Sequence, residues 1–137
     1  MIIADTGFWL ALANQGDRYH ESAKECFAHL QDPLITTWPV MTETCHVLLH
    51  RLGVQAELAY MKSYEEGAFE AFNLTSAHRA SIYRLMKKYA DLPMDLADAS
   101  LVILAEHLGH GRILTTDMRD FKTYRFKHHK PFENILI

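Results

Sequence analysis

Short blocks of consecutive apolar residues alternate along this chain with longer stretches where apolar positions recur every three or four residues. The first kind reads as buried strand and the second as helix. Met1–Ala4, with Ile2 and Ile3, predicts a strand that closes on Asp5. Gly7 turns the chain, and Phe8–Ala13 reads as a short apolar helix. Asp17 is the expected N-cap of a helix to about Leu30, and Asp32-Pro33 stops it. Leu34–Thr37 predicts a second strand, and Pro39 opens a helix that runs to Leu52 and ends at Gly53. Ala56–Glu66 continues as helix, and Phe69–Asn73 alternates as an extended piece. Ser76 is expected to cap an amphipathic helix to Tyr89, with Ile82, Leu85, Met86 and Tyr89 on one face. Asp95 caps Leu96–Leu108, Gly109 stops it, Arg112–Thr116 reads as strand, and Phe132–Ile137 adds an edge strand. Strands alternating with helices predict an α/β domain with a central, mainly parallel sheet flanked by helices, spanning 1–137.

Composition narrows the class. With 137 residues, 49% hydrophobic and 23% charged, the chain has the mix of one globular domain, not of a disordered or fibrous protein. No apolar run approaches the roughly 18 residues of a membrane span. The N-terminus lacks a basic lead and a small-residue cleavage site, so no secretory signal is expected. Cys26 and Cys45 form no CxxC, which fits a reduced, cytoplasmic protein. The net charge of −3 hides an asymmetry. Residues 1–75 hold 4 Lys/Arg against 10 Asp/Glu, whereas residues 76–137 hold 10 against 7. Such a division suits an acidic metal pocket beside an anion-binding face.

Four acids lie at the ends of elements. Asp5 and Asp117 each close a predicted strand, and therefore belong at the carboxyl edge of a parallel sheet, where ligands collect. Glu43 is expected in the first turn after Pro39, and Asp98 in the first turn after Asp95. Taken singly, each has an ordinary explanation: a turn acid, or a carboxylate complementing a helix N-terminus. Taken together, four carboxylates on one pocket repel strongly unless a divalent cation neutralises them. Oxygen-only ligands favour Mg²⁺ or Mn²⁺ over zinc.

Asp5-Thr6-Gly7-Phe8, Thr42-Glu43, Leu96-Ala97-Asp98-Ala99 and Thr115-Thr116-Asp117-Met118-Arg119-Asp120-Phe121 resemble the acidic motifs of PIN-domain ribonucleases, in particular VapC-type toxins of bacterial toxin–antitoxin pairs. The resemblance covers essentially the whole chain, in order. It implies a PIN-like fold, hydrolysis of single-stranded RNA supported by Mg²⁺ or Mn²⁺, a cognate antitoxin partner and a homodimer. It maps Asp5, Glu43, Asp98 and Asp117 onto the family's acidic quartet and Asp120 onto an accessory acid. Gly7 replaces the Ser often found there, which leaves Thr6 and Thr116 as candidate supporting hydroxyls.

Arg119 to Lys130 interleaves five Lys/Arg with Phe121, Tyr124 and Phe126. Basic groups there can track phosphates while an aromatic stacks on a base; equally, the aromatics can anchor the last segment in the core. The expectation is split, with Phe121 in the core and Arg119, Lys122, Arg125 and Lys127 as RNA contacts. His46 and His50 have a zinc-like i, i+4 spacing, but nothing completes a site. Trp9 is expected in the core, and either Trp9 or Trp38 could lie at an antitoxin or dimer face. The rival readings are a receiver-like Mg²⁺-binding signalling module and a non-toxin or non-catalytic PIN protein that only binds RNA or protein. The receiver wants an acidic pair after the first strand, and here Thr6-Gly7 follows Asp5.

Overall fold

The computed structural model describes residues 1–136. Five parallel strands form one sheet in the order β3-β2-β1-β4-β7: β1 is Ile2–Ala4, β2 Leu34–Thr37, β3 Phe69–Phe72, β4 Arg112–Leu114 and β7 Glu133–Asn134. Pairing aligns Ile3 with both Ile35 and Ile113, so the carboxyl ends of the central strands lie level. β1 and β2 are buried at every position, as strands covered on both faces should be.

Helices supply the crossovers. α1 (Thr6–Ala13) and α2 (His20–His29) join β1 to β2, and α3 (Trp38–Leu52) and α4 (Val54–Glu65) join β2 to β3. α5 (Arg79–Lys88) and α6 (Leu96–Leu108) then carry the chain to the far side of β1, where β4 lies. Strand order therefore reverses between β1 and β4, and that switch point opens a crevice at their carboxyl ends. α6 is apolar nearly all round, with Ala97 and Ala99 through Ala105 buried; it packs against β2, α3 and α5. α7 (Met118–Thr123) and a small hairpin, β5 (Arg125–Phe126) with β6 (Lys130–Pro131), close the unit before β7.

Several boundaries differ from expectation. α1 starts at Thr6 because Asp5 caps it, accepting from the Thr6 N–H at 2.7 Å. Asp17 does not cap α2: its carboxylate turns the loop by accepting from the Tyr19 N–H, and the helix begins at His20. Thr75, not Ser76, caps the 3₁₀ turn that precedes α5, in a reciprocal box with His78. α3 begins at Trp38, so Glu43 sits in its second turn rather than its first. The last edge strand is confined to Glu133–Asn134, and Ile137 lies outside the described residues.

Candidate active site

Asp5 follows β1 directly and is 7% exposed. Both carboxylate oxygens are held: the Thr6 N–H donates to Oδ1 and the Thr115 hydroxyl donates to Oδ2 at 2.8 Å. The Thr115 hydroxyl also accepts from the Asp117 N–H at 2.9 Å, so one side chain ties the end of β1 to the turn after β4. Burial raises the Asp5 carboxyl to about 6 against these two hydrogen bonds, and the nearby charges of Glu43 and Asp117 add to the rise.

Asp98 is half-buried at the third position of α6, behind the Asp95 cap whose Oδ1 accepts from its N–H. The Tyr124 hydroxyl donates to Asp98 Oδ2 at 2.8 Å. Burial raises this carboxyl to about 7; Tyr124 opposes the rise, and Asp95, Asp5 and Asp117 add to it. Asp117 caps α7, accepting from the Asp120 N–H at 3.1 Å. Its carboxyl is raised as well, by burial first and then by Asp120. Asp120 itself accepts from the Arg119 Nε at 3.1 Å.

Asp117 thus acts on both Asp5 and Asp98, Asp5 on Asp98, and Glu43 on Asp5; among the described residues no Lys or Arg forms an ion pair with any of these four, although the nearby Arg119 opposes the rise of Asp117. As they stand, no three His, Cys, Asp or Glu side chains among the described residues gather closely enough to ligate a metal ion. The donor chemistry nevertheless suits a hard divalent cation: all-oxygen, negative and partly dehydrated, with Arg119 on Asp120 as the one neighbouring cation among the described ion pairs.

Beneath the acids lies a seam of buried hydroxyls. Thr36 donates to the Ala4 carbonyl, Thr37 donates to the Ser100 hydroxyl at 2.6 Å while Ser100 donates to the Ala97 carbonyl, and Thr44 donates to the Val40 carbonyl. Buried polar side chains among the described residues are confined to this seam, Thr6, Thr115 and Asp5. The supporting hydroxyl of Asp5 is thus Thr115, which the sequence reading passed over for Thr6 and Thr116. Thr6 serves Asp5 through its backbone, and its hydroxyl faces Thr44. Thr116 instead fills the space beside Gly7, where any Cβ would overlap its Oγ1. Thr115 and Thr116 look alike in sequence; only the sheet decides which faces inward.

The basic segment follows expectation at Phe121, which is core, and departs from it at Arg125, which is not free to contact RNA. Phe121, Tyr124 and Phe126 are all buried, so none is free to stack on a base. The Arg125 guanidinium is taken up by the carbonyls of Lys122, Thr123 and Tyr124, at 2.7–3.3 Å, as a C-terminal cap of α7. Arg119, Lys122 and Lys127 remain exposed. Lys122 helps line a cavity of about 300 Å³ beside Asp117, with Met118, Phe121, Phe132 and Asn134. His46 and His50 are exposed neighbours with rings 4.3 Å apart. Trp9 is buried and Trp38 exposed.

The PIN domain family model matches residues 2–127. The chain is 33% identical over 124 residues to Ribonuclease VapC26 of Mycobacterium tuberculosis, covering 90% of this chain and 92% of that protein. A 59-residue stretch is 41% identical to the 23S rRNA-specific endonuclease VapC20 of the same species, 43% of this chain and 45% of that one. The crystal structure of M. tuberculosis VapC20, described as a sarcin-ricin loop cleaving toxin, superposes with a TM-score of 0.83 at 24% identity, covering 96% of this chain and 100% of that one. A family match over most of the chain, a relative alike over nearly its full length and a shared fold agree: the protein belongs to the PIN domain family, among its VapC-type ribonucleases.

Proposed function

We propose that this ribonuclease is the toxin of a toxin–antitoxin pair and cuts single-stranded RNA by divalent-metal-dependent hydrolysis in the cytoplasm. The observation that carries the reading is the set of buried or half-buried carboxylates at the β1/β4 switch point, which repel one another and of which Asp5, Glu43, Asp98 and Asp117 make no ion pair among the described residues. Asp5 and Asp98 would hold the main ion, and Glu43 and Asp117 would contribute to it or to a second one. A bound Mg²⁺ or Mn²⁺ supplies an acidified water and a counter-charge for the phosphoryl oxygens. Thr115 keeps both Asp5 and the Asp117 turn in place, and Asp120 adds negative charge beside Asp117. One carboxylate of the group accepts the proton that the attacking water loses.

Arg119, bonded to Asp120, and Lys122, beside Asp117, carry positive charge on the α7 face next to the acids, where flanking phosphates would lie; Lys127, whose N–H donates to Glu106 near the far end of α6, lies away from them. The names of the relatives support RNA as substrate and the toxin role. The exposed Trp38, Leu49, Leu52, Val54 and Leu58 give α3 and α4 an apolar surface suited to the antitoxin or to a second copy. The test is to incubate pure protein with an RNA pool that includes ribosomal RNA, with Mg²⁺, Mn²⁺ or a chelator, and to sequence the new ends. Metal-dependent cuts that vanish in Asp5→Asn support the proposal; metal-independent cutting, or cutting retained by Asp5→Asn, refutes it.

A further inference from the structure

We infer that Tyr124 is a positioning residue of the acid site: its phenol fixes Asp98 so that one carboxylate oxygen alone is left to meet the metal. The inference rests on the metal-dependent reading above. Tyr124 is fully buried, and its hydroxyl donates to Asp98 Oδ2 at 2.8 Å. Among the described residues nothing donates to Asp98 Oδ1.

The phenol is held from several directions. Its ring packs edge-on against Tyr89, at 5.1 Å and 69°, and against Phe121, at 5.0 Å and 86°. The next residue is tethered too, since the Arg125 N–H donates to the Tyr89 hydroxyl at 3.1 Å. The Arg125 guanidinium binds the Tyr124 carbonyl at 2.9 Å and two carbonyls before it. A ring pinned in this way cannot follow Asp98; Asp98 must conform to the ring. A free carboxylate rotates about χ2 at little cost. A carboxylate with one oxygen anchored presents the other in a single direction, as groups behind metal ligands commonly arrange.

The same ten residues also carry Thr115, which holds Asp5, and Asp117 itself. The segment from Thr115 to Tyr124 thereby fixes carboxylates from β1 and α6 as well as contributing its own. Tyr124 had looked in the sequence like a core anchor or a base-stacking ring, and neither role requires its hydroxyl.

The test compares Mn²⁺ binding by wild type and Tyr124→Phe, using the resonance of free Mn²⁺ in the absence of RNA. Phe preserves the packing and removes the donor alone. The expected result is a roughly 10- to 100-fold weaker Mn²⁺ affinity in Tyr124→Phe. Cleavage at saturating Mn²⁺ should recover towards the wild-type rate, a split between metal requirement and turnover that a general packing defect would not produce. Tyr89→Phe, which loosens the tether one step away, should weaken Mn²⁺ binding in the same direction by less, and it serves if Tyr124→Phe does not fold. Unchanged Mn²⁺ affinity in a folded Tyr124→Phe, or in Tyr89→Phe when only that variant folds, would overturn the role of Tyr124 and leave the metal reading standing. Failure of the wild type itself to bind Mn²⁺ would overturn both.

Discussion

Replacing Asp98 with Asn should make the metal-free protein more stable while abolishing its chemistry. Folding raises the Asp98 carboxyl from the ordinary 3.8 to about 7. A carboxyl whose pKa rises on folding binds its proton more tightly in the native state. Its ionisation therefore costs stability, beginning near pH 4 and complete above about pH 7. Fully expressed, that rise corresponds to about 4 kcal/mol at 1.36 kcal/mol per pH unit. Asp98 is only half-buried, and solvent screening reduces the figure to roughly 1–2 kcal/mol. The amide keeps an oxygen for the Tyr124 hydroxyl and removes the charge. For a chain of this length the gain amounts to about 3–7 °C in Tm at pH 8. Thermal unfolding in chelator from pH 4 to pH 8 reads this directly: the two proteins should coincide near pH 4 and diverge as pH rises. Adding Mn²⁺ at about 100 times its Kd should then stabilise the wild type by roughly 2.7 kcal/mol and Asp98→Asn far less. The reasoning fails if Asp98→Asn melts below the wild type at pH 8 without metal, or gains as much from Mn²⁺.

Other substitutions separate the remaining roles. Thr115→Val keeps the shape but strands Asp5 Oδ2 and the Asp117 N–H; a loss of about 2–4 kcal/mol and at least a tenfold drop in cleavage are expected, with Thr115→Ser near wild type in both assays. Gly7→Ala places a Cβ on Thr116 Oγ1 and should cost about 1–3 kcal/mol; Gly7→Ala with Thr116→Ala should recover most of that in denaturant melts, and no recovery would remove the proposed clash. Lys122→Ala should weaken RNA binding and lower the salt slope by about 0.7, whereas Arg125→Ala should reduce Tm with little change in slope. A salt titration that ranks them the other way would reverse the two assignments.

Much of this architecture is written locally. β1, β2 and β4 are runs of apolar and β-branched residues bounded by clear stops, and α6 is framed by Asp95 and Gly109. Asp5, Asp98 and Asp117 were legible because acids at element ends take their position from the element itself. Two-residue strands such as β5 and β6 carry no period to detect. Pro39 lies in the first turn of α3 as expected, but Glu43, the sixth residue from Trp38, falls in the second turn, one turn deeper than its spacing from Pro39 suggests at a glance. The hydroxyl seam was invisible because a threonine in a strand reads as a β-branched filler. Tyr124 and Arg125 were misread because their partners, Asp98 and the carbonyls ending α7, are chosen by how the last segment docks.

The bond between Thr115 and Asp5 joins positions 110 residues apart. During synthesis, Asp5 leaves the ribosome long before Thr115 exists. Until then the nascent polypeptide has the first acid without its anchor, without Asp117 and without the neighbouring strand. The cleaving capacity of the molecule is thereby deferred until Thr115 and Asp117 have been made, and any cut between Asp5 and Thr115 that lets the halves part would extinguish it.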